Sequence, residues 1–516
     1  MLLTVRGLLL AGLAVSAVPA GRAAAQQDGL AAARAHRERH APRIVREFAE
    51  LLALPNVAAD SAGIRRNAEY LERALAQRGV RTEQLTVSGA PPVVLGRLDV
   101  PGATRTIALY AHYDGQPADS TGWTYGPWTP TLTTRALEAG GASRALPRDG
   151  EPVDPEWRLY GRSSGDDKAP IAALFAVLDA FRDAGVTPTS NLVFFFEGEE
   201  EAGSPSLGRY LETYRDRVAD VDVWLFLDGP VHQSGRPLIA FGARGVTALE
   251  ITVYGANRSL HSGHYGNWAP VPGELLARLL ASMEDDAGRV LIPGFYDTVE
   301  PLGEAERAAL ARLPAYDAEL RRELGLARTE AEPATLAERL LLPGVTVQGL
   351  ASGDVGPGAR NVIPETATVN LGLRLVKGND PDRMLDLVEA HIRAQGFHIG
   401  RDEPDDSTRL RYPRLARVVR LGGYPAARAP MDAPIVRDVV AAAGRVSGED
   451  LVLLPGMGGS LPLYLFTGGG AQVLVVPVAN YDDNQHASDE NLRIGNLWYA
   501  IDLYGALLTM PAPRTP

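Results

Sequence analysis

The chain has 516 residues, a formal charge of −12 at pH 7, 45% hydrophobic and 22% charged residues, and no cysteine. That length asks for more than one core, and the composition is that of a globular protein. Without cysteine there are no disulfides, thiol nucleophiles or thiolate metal sites, so any metal must be held by His, Asp and Glu; the positive charge is neither in excess nor clustered, which argues against a nucleic-acid partner.

Arg6 precedes an apolar run from Leu8 to Val18, and Ala23-Ala24-Ala25 offers a small-residue cleavage site. This pattern predicts a signal peptide over 1–25, an exported (periplasmic or secreted) destination, and no membrane association after cleavage. Residues 27–79 keep apolar side chains at helical spacing, as in Ile44, Val45, Phe48, Leu51 and Leu52. Strands are expected at 85–87, 93–98 and 106–110, the last running into Ala111-His112-Tyr113-Asp114-Gly115. His112 and Asp114 stand two apart, so on an extended backbone they share a side and the carboxylate can orient the imidazole.

Residues 118–157, rich in Trp, Gly, Pro and Thr, read as a long surface loop. It leads to Gly161-Arg162-Ser163-Ser164-Gly165-Asp166-Asp167-Lys168, ahead of a helix over 171–181. The paired aspartates there either cap that helix or hold a ligand. Next comes the stretch on which the rest depends: Asn191 to Phe196 reads as a buried strand, and it is followed by Glu197-Gly198-Glu199-Glu200-Glu201. Carboxylates crowded in this way want a cation, unless they form an acidic turn before a helix starting near Ser204-Pro205. A strand over 221–227 likewise ends in Asp228 before Gly229. Open α/β sheets gather chemistry beyond the carboxyl ends of their strands, and separate caps explain this recurrence poorly.

From Gly245 the texture changes. Alternating strands at 246–254 and 367–376, helices at 273–283 and 381–394, and a helical stretch over 304–339 make up an α+β insert. Past about 420 the α/β pattern returns, with helices at 435–443 and 492–508 and strands at 451–454 and 473–476. The expected division is a first catalytic part at 26–244, a lid at 245–420 and a second catalytic part at 421–516.

In this order and context the residues resemble metallopeptidase family twenty, which includes carnosinases, glutamate carboxypeptidases, aminoacylases and acyl-diamino-acid deacylases. The resemblance runs from about residue 40 to 510 and leans toward the carnosinase-like branch. It implies an α/β zinc-exopeptidase catalytic domain of three layers with an inserted α+β lid or dimerisation domain. It implies that His112, Asp166, Glu201, Asp228 and His486 hold two divalent metal ions. Asp166 would bridge them, with zinc the first choice and manganese or cobalt the alternatives. Asp114 would orient His112, and Glu200 would be the general base, with Glu199 its rival.

In the insert, His261 of Leu260-His261-Ser262-Gly263 is implied to serve the partner's site in a homodimer formed through the lids. Asn361 and Arg374 would hold the substrate's free carboxylate, and Gly459 and Ser460 would position the substrate. The implied reaction is two-metal hydrolysis of dipeptides or short peptides with a free C-terminal carboxylate. The alternative is deacylation of N-acyl amino acids, and a more remote one is an inactive binding protein on the same fold. Lys168, one of two lysines, is given no catalytic role.

Overall fold

The computed structural model of the protein describes residues 21–119 and 121–512. Helices α1 (Gly21–Leu52) and α2 (Ser61–Gln77) come first, and Asp60 caps α2 by accepting from the Ala62 and Gly63 amides. Of the expected signal peptide, residues 1–20 lie outside the described residues, while α1 runs unbroken through Ala23-Ala24-Ala25. There follow β1 (Arg81–Leu85), β2 (Val93–Leu98), β3 (Thr106–His112), α3 (Lys168–Ala184), β4 (Asn191–Glu197), β5 (Val223–Phe226) and β6 (Leu238–Ala240). The insert contributes β7 (Gly242–Tyr254), α4 (Pro272–Ala281), β8 (Gly344–Ala351), β9 (Thr366–Leu375), α5 (Pro381–Ala394), β10 (His398–Gly400) and β11 (Leu415–Tyr424). The chain ends with α6 (Pro434–Ser447), β12 (Val452–Leu454), β13 (Met457–Ser460), β14 (Gln472–Val475) and α7 (Ile494–Leu507).

Eight strands form the larger sheet in the order β1-β2-β4-β3-β5-β14-β6-β12. At its centre β4, β3, β5 and β14 run parallel. Parallel strands buried on both faces need apolar residues at every position, which accounts for the Leu-Val-Phe-Phe-Phe run of β4. The strand period of two divides these residues between two cores. Ile107, Leu109, Phe194 and Phe196 pack with α1, α3, α6 and α7, whereas Ala108, Tyr110, Val193 and Phe195 pack with Leu207, Tyr210 and Phe466. Lys168, buried at the start of α3, donates to the Leu51 and Leu54 carbonyls at 3.0 and 3.1 Å, where α1 runs out of intrahelical partners.

The second sheet is built on the 13-residue β7, which from Gly245 onward pairs with β9 on one side and from Val246 with β11 on the other. Leu249, Ile251 and Val253 pack under α4 and α5 against Leu276, Leu279, Met384 and Ile392. The even-numbered residues from Arg244 to Glu250 lie on the opposite, half-buried face.

Three expectations are corrected. The stretch 304–339 is three short helices, Glu304–Leu310, Asp317–Glu323 and Leu336–Leu340, because Pro314, Gly325 and Pro333 interrupt it. The loop 118–157 contains strands Thr131–Thr133 and Ser143–Arg144, which join Arg158–Tyr160 and Asn491–Arg493 in a small sheet. The strand expected at 85–87 lies at β1 instead; its polar Arg-Thr-Glu-Gln sequence suits a sheet edge paired only to β2.

Candidate metal centre

β3 ends at His112, and Asp228 stands two residues past the end of β5. After β4, Gly198 lies so close to Tyr113 that a Cβ there would collide with the phenol hydroxyl. A 3-10 turn over Glu200–Ala202 follows and closes at Gly203 with φ 85°, a left-handed conformation that glycine adopts without steric cost. Asp114 fixes this turn: Oδ1 accepts the Glu200 amide and Oδ2 the Glu201 amide, each at 3.1 Å. The Nδ1 of His112 faces the main-chain carbonyl of Asp114 at 3.1 Å and its Oδ1 at 3.4 Å. Because β3 stops at His112, the Asp114 carbonyl is the nearer orienting group, while its carboxylate ties down the glutamate turn.

Asp166 stands between two histidines. Its Oδ1 lies 2.6 Å from His112 Nε2, and its Oδ2 lies 3.1 Å from His486 Nε2. His486 Nε2 is also 3.2 Å from Glu201 Oε2. Two donor sets result, His112 with Asp166 and Asp228, and Asp166 with Glu201 and His486. Within each, one donor atom per residue lies within 4.8 Å of the others. Imidazole nitrogen and carboxylate oxygen suit zinc and other divalent ions of similar hardness, and one carboxylate divided between two sets is what a pair of adjacent cations requires.

The electrostatics point the same way. Burial, then repulsion from Asp166, pushes the Asp228 carboxyl well above the usual carboxylate range. Burial raises Glu200 to about 7, opposed by His112 and reinforced by Asp166 and Glu201. Hydrogen bonds to Asp166 and Glu201 raise His486 to about 10. Buried acids that repel one another are stabilised by a cation among them. The neighbouring glutamates are otherwise engaged. Glu197 accepts from the Tyr110 hydroxyl at 2.5 Å, and Glu199, the rival base, accepts the Ser206 amide at 2.8 Å.

The structure brings Arg374 on β9 together with Ser460 at the end of β13, Nη1 donating to Oγ at 2.6 Å, with Gly459 exposed beside them. His261 and Asn361 are neighbours of each other: the Asn361 carbonyl accepts the Ser262 amide at 3.0 Å, and Leu260–His261 pairs with Val362–Ile363. His261 is exposed, its Nδ1 accepts the Gly263 amide at 3.1 Å, and its ring meets His264. Among the described residues none of its hydrogen bonds or ring contacts reaches the two donor sets.

Three side chains around the site escaped the sequence reading. Buried Glu490 accepts the Ser163, Gly165 and Asp166 amides at 3.0, 3.0 and 3.1 Å and the Arg162 guanidinium at 2.7 Å, which fixes the loop carrying Asp166. Gln485 donates to Asp166 Oδ2 at 2.5 Å, and Gln116 to Glu201 Oε2 at 2.7 Å. An acid two residues before the 492–508 helix was the only signal for Glu490, and it has no motif of its own.

An α/β sheet that carries two histidine–carboxylate sets sharing one aspartate presents a candidate two-metal centre of the kind metal-dependent hydrolases use. The profile of Peptidase family M20/M25/M40 matches residues 108–510, and the chain belongs to that family. It is 27% identical over 488 residues to the Cys-Gly metallodipeptidase DUG1 of Candida albicans, covering 88% of this chain and 92% of that protein. It is 31% identical over 292 residues to the human Beta-Ala-His dipeptidase, covering 55% of this chain and 53% of that protein. The solved M20 family metallo-carboxypeptidase Sso-CP2 of Sulfolobus solfataricus superposes with a TM-score of 0.72 at 24% identity, covering 91% of this chain and 99% of that one, a likeness of fold. The expected family and fold class, a catalytic domain with an inserted dimerisation-type domain, are therefore correct. The exported destination is not. The fungal Cys-Gly dipeptidases that match along nearly the whole chain are cytosolic enzymes, and the periplasmic or secreted reading is withdrawn.

Proposed function

We propose that the chain hydrolyses dipeptides with a free C-terminal carboxylate, with Glu200 as general base and His112, Asp166, Glu201, Asp228 and His486 as ligands of two divalent cations, zinc first among them. Metal-dependent dipeptide hydrolysis is the activity its curated relatives share, and they do not favour the N-acyl-amino-acid alternative. The observation that carries the residue assignment is the division of Asp166, one oxygen toward each histidine. When bound, the cations supply Lewis acidity to a water molecule and to the scissile carbonyl.

The chain's own groups do the rest. Glu200, raised to about 7, takes a proton from the water onto its carboxylate and passes it to the leaving amine. Asp114 holds the backbone of Glu200 and Glu201 in register, so base and ligand move together. Arg374, steadied by Ser460, offers its guanidinium fork to the substrate's α-carboxylate.

This reading includes a catalytic unit of residues 26–244 and 421–516 around a lid of 245–420. It also includes a homodimer through the lids in which His261 serves the partner's site, with Asn361 and Arg374 holding the substrate's free carboxylate. Two features support the dimer. Among the described residues His261 makes no hydrogen bond or ring contact to its own chain's donor sets, and β8 is an edge strand that exposes Val347 and Leu350. The test is a comparison of free dipeptides with N-acyl amino acids, each with added zinc, manganese or cobalt. Dipeptides are expected to be cleaved with the higher kcat/KM, and faster deacylation would overturn the reading.

A further inference from the structure

Strand register lines up one rung across the lid sheet. Val246 of β7 pairs with Tyr424 of β11 on one side and Arg374 of β9 on the other, and Arg374 pairs with Gly344 of β8. Residues paired across strands share a face, and here it is the face turned away from α4 and α5. Tyr424 connects that face to the chemistry: burial and then the Glu200 charge push its hydroxyl up, while Arg374 pulls it down.

Arg244 lies two residues before Val246, hence on the same face and diagonal to Arg374. Cross-strand diagonal neighbours lie about 7–8 Å apart, within reach of long side chains. Ser460, which accepts from Arg374, is also the residue paired with Arg244. Among the described residues the Arg244 guanidinium, with five donors, has one hydrogen-bond partner, the Leu342 carbonyl at 3.0 Å from Nη2. Its Nε is buried without a partner among the described residues. Burial, then the charges of Arg374 and Arg339, lowers Arg244 to about 10. Among the described residues no carboxylate lies within ion-pair distance of Arg244 or Arg374. Two adjacent guanidinium groups, one with a buried unsatisfied donor, make a site for two negative charges.

We propose that Arg244 reads an acidic side chain on the substrate's last residue, so that the enzyme prefers dipeptides ending in aspartate or glutamate. The α-carboxylate sits on Arg374 and Ser460, and the side-chain carboxylate on Arg244. The inference rests on the dipeptidase reading and adds a substrate class to it.

The test compares kcat/KM of the metal-loaded enzyme for Ala-Glu and Ala-Asp against Ala-Gln and Ala-Asn. A charge-assisted contact of this kind is worth about tenfold or more, and the acidic dipeptides are expected to lead by that factor. In Arg244→Gln the acidic-to-amide ratio falls close to one. In Arg244→Lys, which offers a point charge without the fork, it falls part of the way. If Arg244→Gln does not fold, the wild-type ratio and Arg244→Lys decide. A wild-type ratio near one, or a ratio that survives Arg244→Gln, overturns the proposal while leaving dipeptide hydrolysis standing. Failure to cleave any of the four dipeptides overturns both.

Discussion

Asp114 and Glu490 are buried carboxylates outside the two donor sets, and each holds one of the loops that carry them. Glu490 gathers three amides and a guanidinium around the Asp166 loop. Groups that orient metal ligands in this way matter nearly as much as the ligands, and Glu490→Gln is expected to weaken metal affinity by about 10–100-fold. Unchanged affinity by competitive chelation would remove Glu490 from the site. The glutamate turn gives a sharper contrast. Glu200→Gln should keep metal and lose most activity, whereas Glu201→Gln should lose metal first; the reverse result places the register one residue off. The structure gathers His112, Asp166, Glu201, Asp228 and His486; His112, Asp166, Asp228 and the glutamate run stood out at strand ends and a turn, whereas His486 and the Glu200–Glu201 register came only from the family resemblance. Glu490 was not legible in the sequence, since its partners are backbone amides more than 320 residues away and no side-chain pattern announces them.

Elements were legible where burial imposes a period. β2 at Val93–Leu98 and α5 at Pro381–Ala394 have the bounds read from sequence, α5 being opened by the Asp380 cap and Pro381. β8 went unseen because most of its residues are exposed, so its Val-Thr-Val-Gln has no buried alternation to betray it. The α1–α3 contact carries an electrostatic consequence. Burial, then His40 and Arg43, lowers His36 to about 4 against an ordinary 6.5, with Asp183 and Asp179 opposing. The unfolded chain therefore binds the proton more readily, and stability present above about pH 6.5 is lost as the pH falls toward about 4. Thermal midpoints should drop across that window, and His36→Gln should flatten the drop. A slope that the substitution leaves unchanged would assign it to other groups.

At the scale of the whole molecule, the proposed lid homodimer would make each site depend on both chains. His261 is exposed, and among the described residues its hydrogen bond to Gly263 and ring contact with His264 do not reach its own chain's donor sets. Mixing Glu200→Gln with His261→Ala chains and allowing exchange should therefore restore activity, since each heterodimer regains one complete site of up to about half the wild-type dimer's rate. A mixture that exchanges yet stays inactive would keep His261 out of the partner's site. Titrating metal-free protein with zinc while following dipeptide hydrolysis tests most directly whether Asp166 is shared between two cations. Binding is expected to saturate at two ions per chain, with full activity reached only at the second. Saturation at one ion with full activity would contradict it.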